Sequence, residues 1–232
     1  SNPVHRLLML APANFGSPLA HKGRSFVGRI VKGFKSDRPF HTGAQILKGL
    51  ELASPFSWNL ALKDRFAEQA WYGPGRILCT VLVGTEGYSG ISAAANENGT
   101  DGTVRVSTAN LNPLRARFDF ASNPQKPTLL LQPANGITAF ARIDQENHST
   151  IAWKDRGPRN PLTATLVRDA LQVTDARFAG FVQQLDQLSA QSREQGAARA
   201  HTQPYQNTVV RLDDDLGNLV GDYFLEVFAK DA

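Results

Sequence analysis

The sequence has one cysteine in 232 residues, which excludes an intrachain disulfide framework. Cys79 sits inside an apolar run, Ile77-Leu78-Cys79-Thr80-Val81-Leu82-Val83, where a thiol packs as a small hydrophobe. No Cys/His group has zinc spacing, and neither a metal nor an organic cofactor is expected. No apolar stretch approaches the roughly 18 residues of a transmembrane helix. The longest, 7–11 and 77–83, have the length of buried strands. Charge of one sign is also lacking. The 25 basic residues nearly balance 21 acidic ones, and the net +4 is scattered rather than gathered into a basic stripe, which argues against nucleic acid as a partner. No signal peptide is visible, but the chain starts Ser-Asn-Pro rather than with Met. The expectation is a trimmed or processed piece, and the compartment stays open.

What is present describes a globular α/β chain. Apolar residues make up 41% and charged residues 20%, enough for a sizeable core. Residues 4–12 read as a short buried strand stopped by Pro12 and Gly16, of the kind found inside a parallel sheet. Residues 22–72 carry apolar positions at helical spacing and predict two or three amphipathic helices, interrupted at Gly33, Pro39 and Pro55. A second buried strand follows over 76–84, then a Gly- and Asn-rich loop over 85–103. Strand-like pieces occur at 104–106, 115–120, 128–131 and 138–143. Helices are predicted from Pro161, a residue suited to a first turn, and over 175–195. A polar linker then leads to a hairpin over 208–228, centred on Asp214-Asp215-Leu216-Gly217-Asn218.

Two loops carry chemistry. Asn98-Gly99-Thr100-Asp101-Gly102-Thr103-Val104 follows the strand at 76–84, with glycines that let the backbone turn around the acid. Glu146-Asn147-His148-Ser149-Thr150-Ile151 follows the strand at 138–143. Acyl transfer needs a nucleophile, a base to take its proton and a carboxylate to orient that base, and these loops offer the last two. The alternatives are plain: Asp101 as a turn residue, and His148 as a solvated loop histidine.

In their order and strand context, these loops resemble the acid and histidine loops of the lipase and esterase branch of the α/β-hydrolases. A third segment, Leu10-Ala11-Pro12-Ala13-Asn14-Phe15-Gly16-Ser17-Pro18, is similar to the stretch where the strand after the nucleophile ends beside the active site. The three segments span roughly residues 1–155. The resemblance implies an α/β-hydrolase-like, mostly parallel sheet in 1–196, with a helical cap or lid inserted over 22–75. Residues 197–232 would be a linker and a β hairpin, or the start of a β module. It further implies a carboxylic-ester hydrolase acting on a lipid or other hydrophobic ester. Asp101 and His148 would be catalytic, and Ser17, Phe15 and Trp153 would border the substrate pocket.

No Gly-x-Ser-x-Gly occurs anywhere in the chain. In the family that nucleophile elbow would precede Ser1, so the serine is expected in a complementary N-terminal part of the same protein, and this piece alone would be inactive. The nearest internal mimic, Gly90-Ile91-Ser92-Ala93-Ala94, lacks the strand and helix that hold an elbow serine exposed. The competing expectation is a non-catalytic interaction or adhesion module built on a hydrolase fold.

Overall fold

A computed structural model describes residues 3–22, 41–90, 93, 96–196 and 205–226. Three parallel strands form its main sheet: β1 (Arg6–Leu10), β2 (Leu78–Gly84) and β5 (Thr138–Ile143), in the order β1-β2-β5. The register pairs Leu8 with Thr80 and Val81 with Phe140. Parallel neighbours need crossover connections, and the long segments between these strands provide them.

β2 is the central strand, and every one of its residues is buried. Val81, Leu82 and Val83 have no exposed surface. Burying side chains of this size stabilises the fold by about 1.5–3 kcal/mol each. β1 differs from its expected role. Its five residues are only half-buried, because among the described residues it has a strand neighbour on one side alone.

Two helices close the sheet. α3 (Pro161–Gln172) starts at Asn160, whose side chain accepts from the Leu162 backbone N–H at 3.0 Å, with Pro161 in the first turn. It packs against β1, and the Arg6 side chain donates to the Val173 carbonyl just past its end. α4 (Asp175–Gly196) packs against β5 through Phe178, Phe181, Leu185, Ser189 and Ser192, a stripe at helical spacing. Ser189 accepts from the Arg142 backbone N–H, which fastens this helix to the strand that leads to His148.

In the segment expected to be a helical insertion, α1 (His41–Gly49) and α2 (Pro55–Asp64) are present, and residues 23–40 lie outside the described residues. Ser54 caps α2, accepting from the Ser57 N–H at 3.1 Å. β3 (Leu114–Asp119) and β4 (Thr128–Pro133) form a separate antiparallel ribbon. Leu114, Phe118, Leu129 and Leu131 share its one apolar, exposed face. The predicted strand at 104–106 is instead a turn leading into a single helical turn, Val106–Ala109. Of the C-terminal hairpin, the described residues show a bridge between Asp213 and Leu219 around the Asp214 turn.

Candidate active site

In a parallel sheet all carboxyl ends lie at one edge, so the loops after β2 and β5 emerge side by side. Asp101 belongs to the first loop and His148 to the second. Asp101 is fully buried, and its Oδ1 accepts from the backbone N–H groups of Thr103 (3.0 Å) and Val104 (2.8 Å). The Asp101 N–H donates to the Val104 carbonyl, so the loop folds back on its own acid. Gly102 turns at φ +96°, a backbone conformation open to glycine and strained for other residues.

The remaining carboxylate oxygen, Oδ2, lies 3.1 Å from Nδ1 of His148. A carboxylate only accepts, so Nδ1 carries the proton and Nε2 is the ring atom left to take another. A second bond runs alongside: the His148 N–H donates to the Asp101 carbonyl at 2.9 Å. The histidine side chain is partly open to solvent, whereas the acid is sealed.

The histidine loop is held by its neighbours. Asn147 Oδ1 accepts from the N–H groups of Ser149 and Thr150 and caps the turn that follows. Glu146 is fully buried, and its Oε1 accepts from the Asn160 N–H (3.0 Å) and the Thr163 hydroxyl (2.7 Å), tying the loop to the start of α3. Gly84, the last residue of β2, runs so close to the loop that a Cβ there would stand 2.3 Å from the Glu146 carbonyl oxygen. Among the described residues, four of the six non-glycine positions with positive φ, Gln145, Trp153, Asp155 and Arg156, flank His148. Such backbone outliers concentrate at functional sites.

Ser17, Phe15 and Trp153 take three different positions. Ser17 is buried under the acid loop, its hydroxyl donating to the Thr103 carbonyl at 2.5 Å. Phe15 lines a cavity of about 430 Å³ between α2 and β1, with Met9, Leu60, Tyr72, Arg65 and Leu111. Trp153 is 47% exposed, follows the histidine turn and does not line that cavity. Ser92 lies outside the described residues. Glu97, four residues before Asp101 in the same loop, pairs with Arg105 at 3.4 Å.

The cavity has its own polar end, away from Asp101. Arg65 is buried, donates through Nε to the Leu111 carbonyl and stacks over the Tyr72 ring at 5.1 Å. Burial lowers the Arg65 guanidinium and raises the Asp64 carboxyl from their ordinary values, and pushes the Tyr72 phenol up to about 12. Cavity and acid loop are joined through backbone carbonyls: the Phe15 N–H donates to that of Thr108, and the Asn14 side chain to that of Ala109. Among the described residues no group of His, Cys, Asp and Glu could hold a metal ion.

Sequence reading did not single out Tyr88, Thr103, Glu146 or Asn147, all of which brace the two loops. The capping asparagine was open to detection in Asn147-His148-Ser149-Thr150. Nothing in Gly87-Tyr88-Ser89 marks Tyr88, because its contacts come from distant loops.

A parallel sheet with an acid loop and a histidine loop at one carboxyl edge is a hydrolase-like α/β fold. A solved structure with a similar fold is Phospholipase PlaB from Legionella pneumophila, with a TM-score of 0.68 and 24% identity over 95% of this chain and 50% of that one. The same protein in complex with thio-NAD superposes with a TM-score of 0.63 and 23% identity, covering 94% of this chain and 48% of that one. The chain thus spans about half the length of the protein it resembles. No family model and no curated protein matches the sequence.

Proposed function

We propose that this chain is the C-terminal portion of a serine-hydrolase domain that cleaves carboxylic esters of lipids. The observation that carries the reading is the buried Asp101 carboxylate against Nδ1 of a partly exposed His148. The fold likeness to a phospholipase, whose chain is about twice the span matched, agrees with it.

In this reading a serine from the preceding part of the polypeptide approaches Nε2 of His148, its segment seated along the open side of β1. His148 takes the serine proton as the hydroxyl oxygen attacks the ester carbonyl, then returns it to the departing alcohol. Asp101 holds the imidazole in the tautomer that leaves Nε2 free, and stabilises the ring once it is charged. Water then repeats the sequence on the acyl-enzyme and releases the fatty acid. Backbone amides outside this chain would stabilise the oxyanion. Residues 22–75 would form the cap, and Phe15 with its cavity the apolar wall for an acyl chain. Ser17 would brace the acid loop and Trp153 would border the entrance.

Release of fatty acid from phospholipid vesicles and from short-chain nitrophenyl esters by the full-length polypeptide tests this function. Hydrolysis that disappears in His148→Ala is the expected result. Full activity in that variant refutes it.

A further inference from the structure

The loops that carry Asp101 and His148 come from different strands, and something must keep them in register. The half-buried Tyr88 lies across both. Its hydroxyl shares a 2.8 Å hydrogen bond with the Thr103 hydroxyl, two residues after Asp101. The Ser149 side chain, one residue after His148, acts on the same hydroxyl from the histidine loop, holding its pKa down against the upward push of burial. Its ring lies over the acid loop so closely that a Cβ on Gly102 would stand 2.8 Å from it. Its backbone is fixed in turn by Asn96, whose amide accepts from the Tyr88 N–H and donates to the Tyr88 carbonyl, each at 2.7 Å.

We infer that Tyr88 is a positioning residue: a phenol latch that joins the acid loop to the histidine loop and sets the Asp101–His148 contact. This rests on the hydrolase reading for its catalytic consequence, though not for its geometry. The phenol has no other hydrogen-bonding task among the described residues. Burial raises its pKa above the ordinary tyrosine value, so it stays a neutral hydroxyl able to donate to one loop and accept from the other. Small displacements of an oriented base are costly to rate, so a latch of this kind acts on turnover rather than on substrate affinity.

The test is Tyr88→Phe in the full-length polypeptide, which keeps the ring packing and removes the hydroxyl, with Ser149→Ala as a second variant that cuts one arm of the latch. Two readouts are taken: the kcat and KM of ester hydrolysis, and the low-field NMR resonance of the proton between His148 Nδ1 and Asp101. For Tyr88→Phe the expected result is a kcat lower by about tenfold, KM within twofold of wild type, and a resonance that broadens or vanishes. Ser149→Ala is expected to show a smaller change in the same direction. Wild-type kcat and an unchanged resonance in both variants overturn the inference, as does a change in KM alone. Should the wild type hydrolyse no ester, the functional reading fails by itself, and the resonance alone decides the latch: lost in Tyr88→Phe it stands, unchanged it falls.

Discussion

The Asp101 carboxylate and the His148 imidazole are joined twice, side chain to side chain at 3.1 Å and backbone to backbone at 2.9 Å. The backbone bond fixes the distance between the loops, and the side-chain bond fixes the tautomer. A turn aspartate serving only its own loop would need neither.

The tautomer makes a prediction for Asp101→Asn. The amide keeps an oxygen for the Thr103 and Val104 N–H groups, so the loop stays folded, but its NH₂ now faces Nδ1 and favours the proton on Nε2. The kcat of the full-length enzyme is expected to fall about 10⁴-fold, with the thermal midpoint little changed. Steady-state kinetics beside a melting curve checks this.

Glu146 makes a prediction about stability. Its Oε1 satisfies two donors at the start of α3 in a fully buried setting. Glu146→Ala leaves the Asn160 N–H and the Thr163 hydroxyl without their acceptor. The expected loss is about 2–4 kcal/mol in denaturant unfolding. Faster amide exchange over 145–150 is expected with it.

Gly84→Ala tests the close approach of β2 to the histidine loop. The new methyl would run into the backbone carbonyl oxygen of Glu146, where no flexible side chain can yield. A destabilisation of about 1–3 kcal/mol is expected, with activity falling further than stability because the displaced loop is the one that carries His148. Chemical denaturation and an ester assay on the same preparation separate the two effects.

Cys79 links burial to pH. Burial pushes its thiol from 9.0 up to about 12, so in the folded chain it stays protonated where the unfolded chain ionises. Between those values the unfolded state binds fewer protons, and stability falls as pH rises. The slope from this group is at most about 1.4 kcal/mol per pH unit, and below pH 9 its contribution is constant. Cys79→Ala is expected to flatten the alkaline decline between pH 9 and 12. In the native wild type, iodoacetamide at pH 8 is expected to leave Cys79 unmodified until denaturant is added.

The parts of the fold set by local pattern were legible in the sequence. Thr138–Ile143 stands where a strand-like piece was expected, and the helix starts at Pro161, the residue suited to its first turn. Val104-Arg105-Val106 was not legible. Its β-branched residues suit a strand, yet the acid loop closes there through the Thr100–Arg105 bridge, and the chain turns helical at Val106. The apolar run of 7–11, within the strand read over 4–12, fits the inside of a parallel sheet, but a run of hydrophobes reports burial and not the number of neighbours. At the candidate site, the two loops and their order could be read from residue types. The bracing by Tyr88, Glu146 and Gly84 could not, because it consists of contacts between segments 14 to 62 residues apart.

Covalent labelling of the full-length polypeptide with a fluorophosphonate tests the central claim most directly. One serine should be labelled in the wild type, and His148→Ala, with an unchanged circular dichroism spectrum, should lose the label because no other group removes the serine proton. Labelling that persists at the wild-type rate in His148→Ala would contradict a catalytic role for the Asp101–His148 pair.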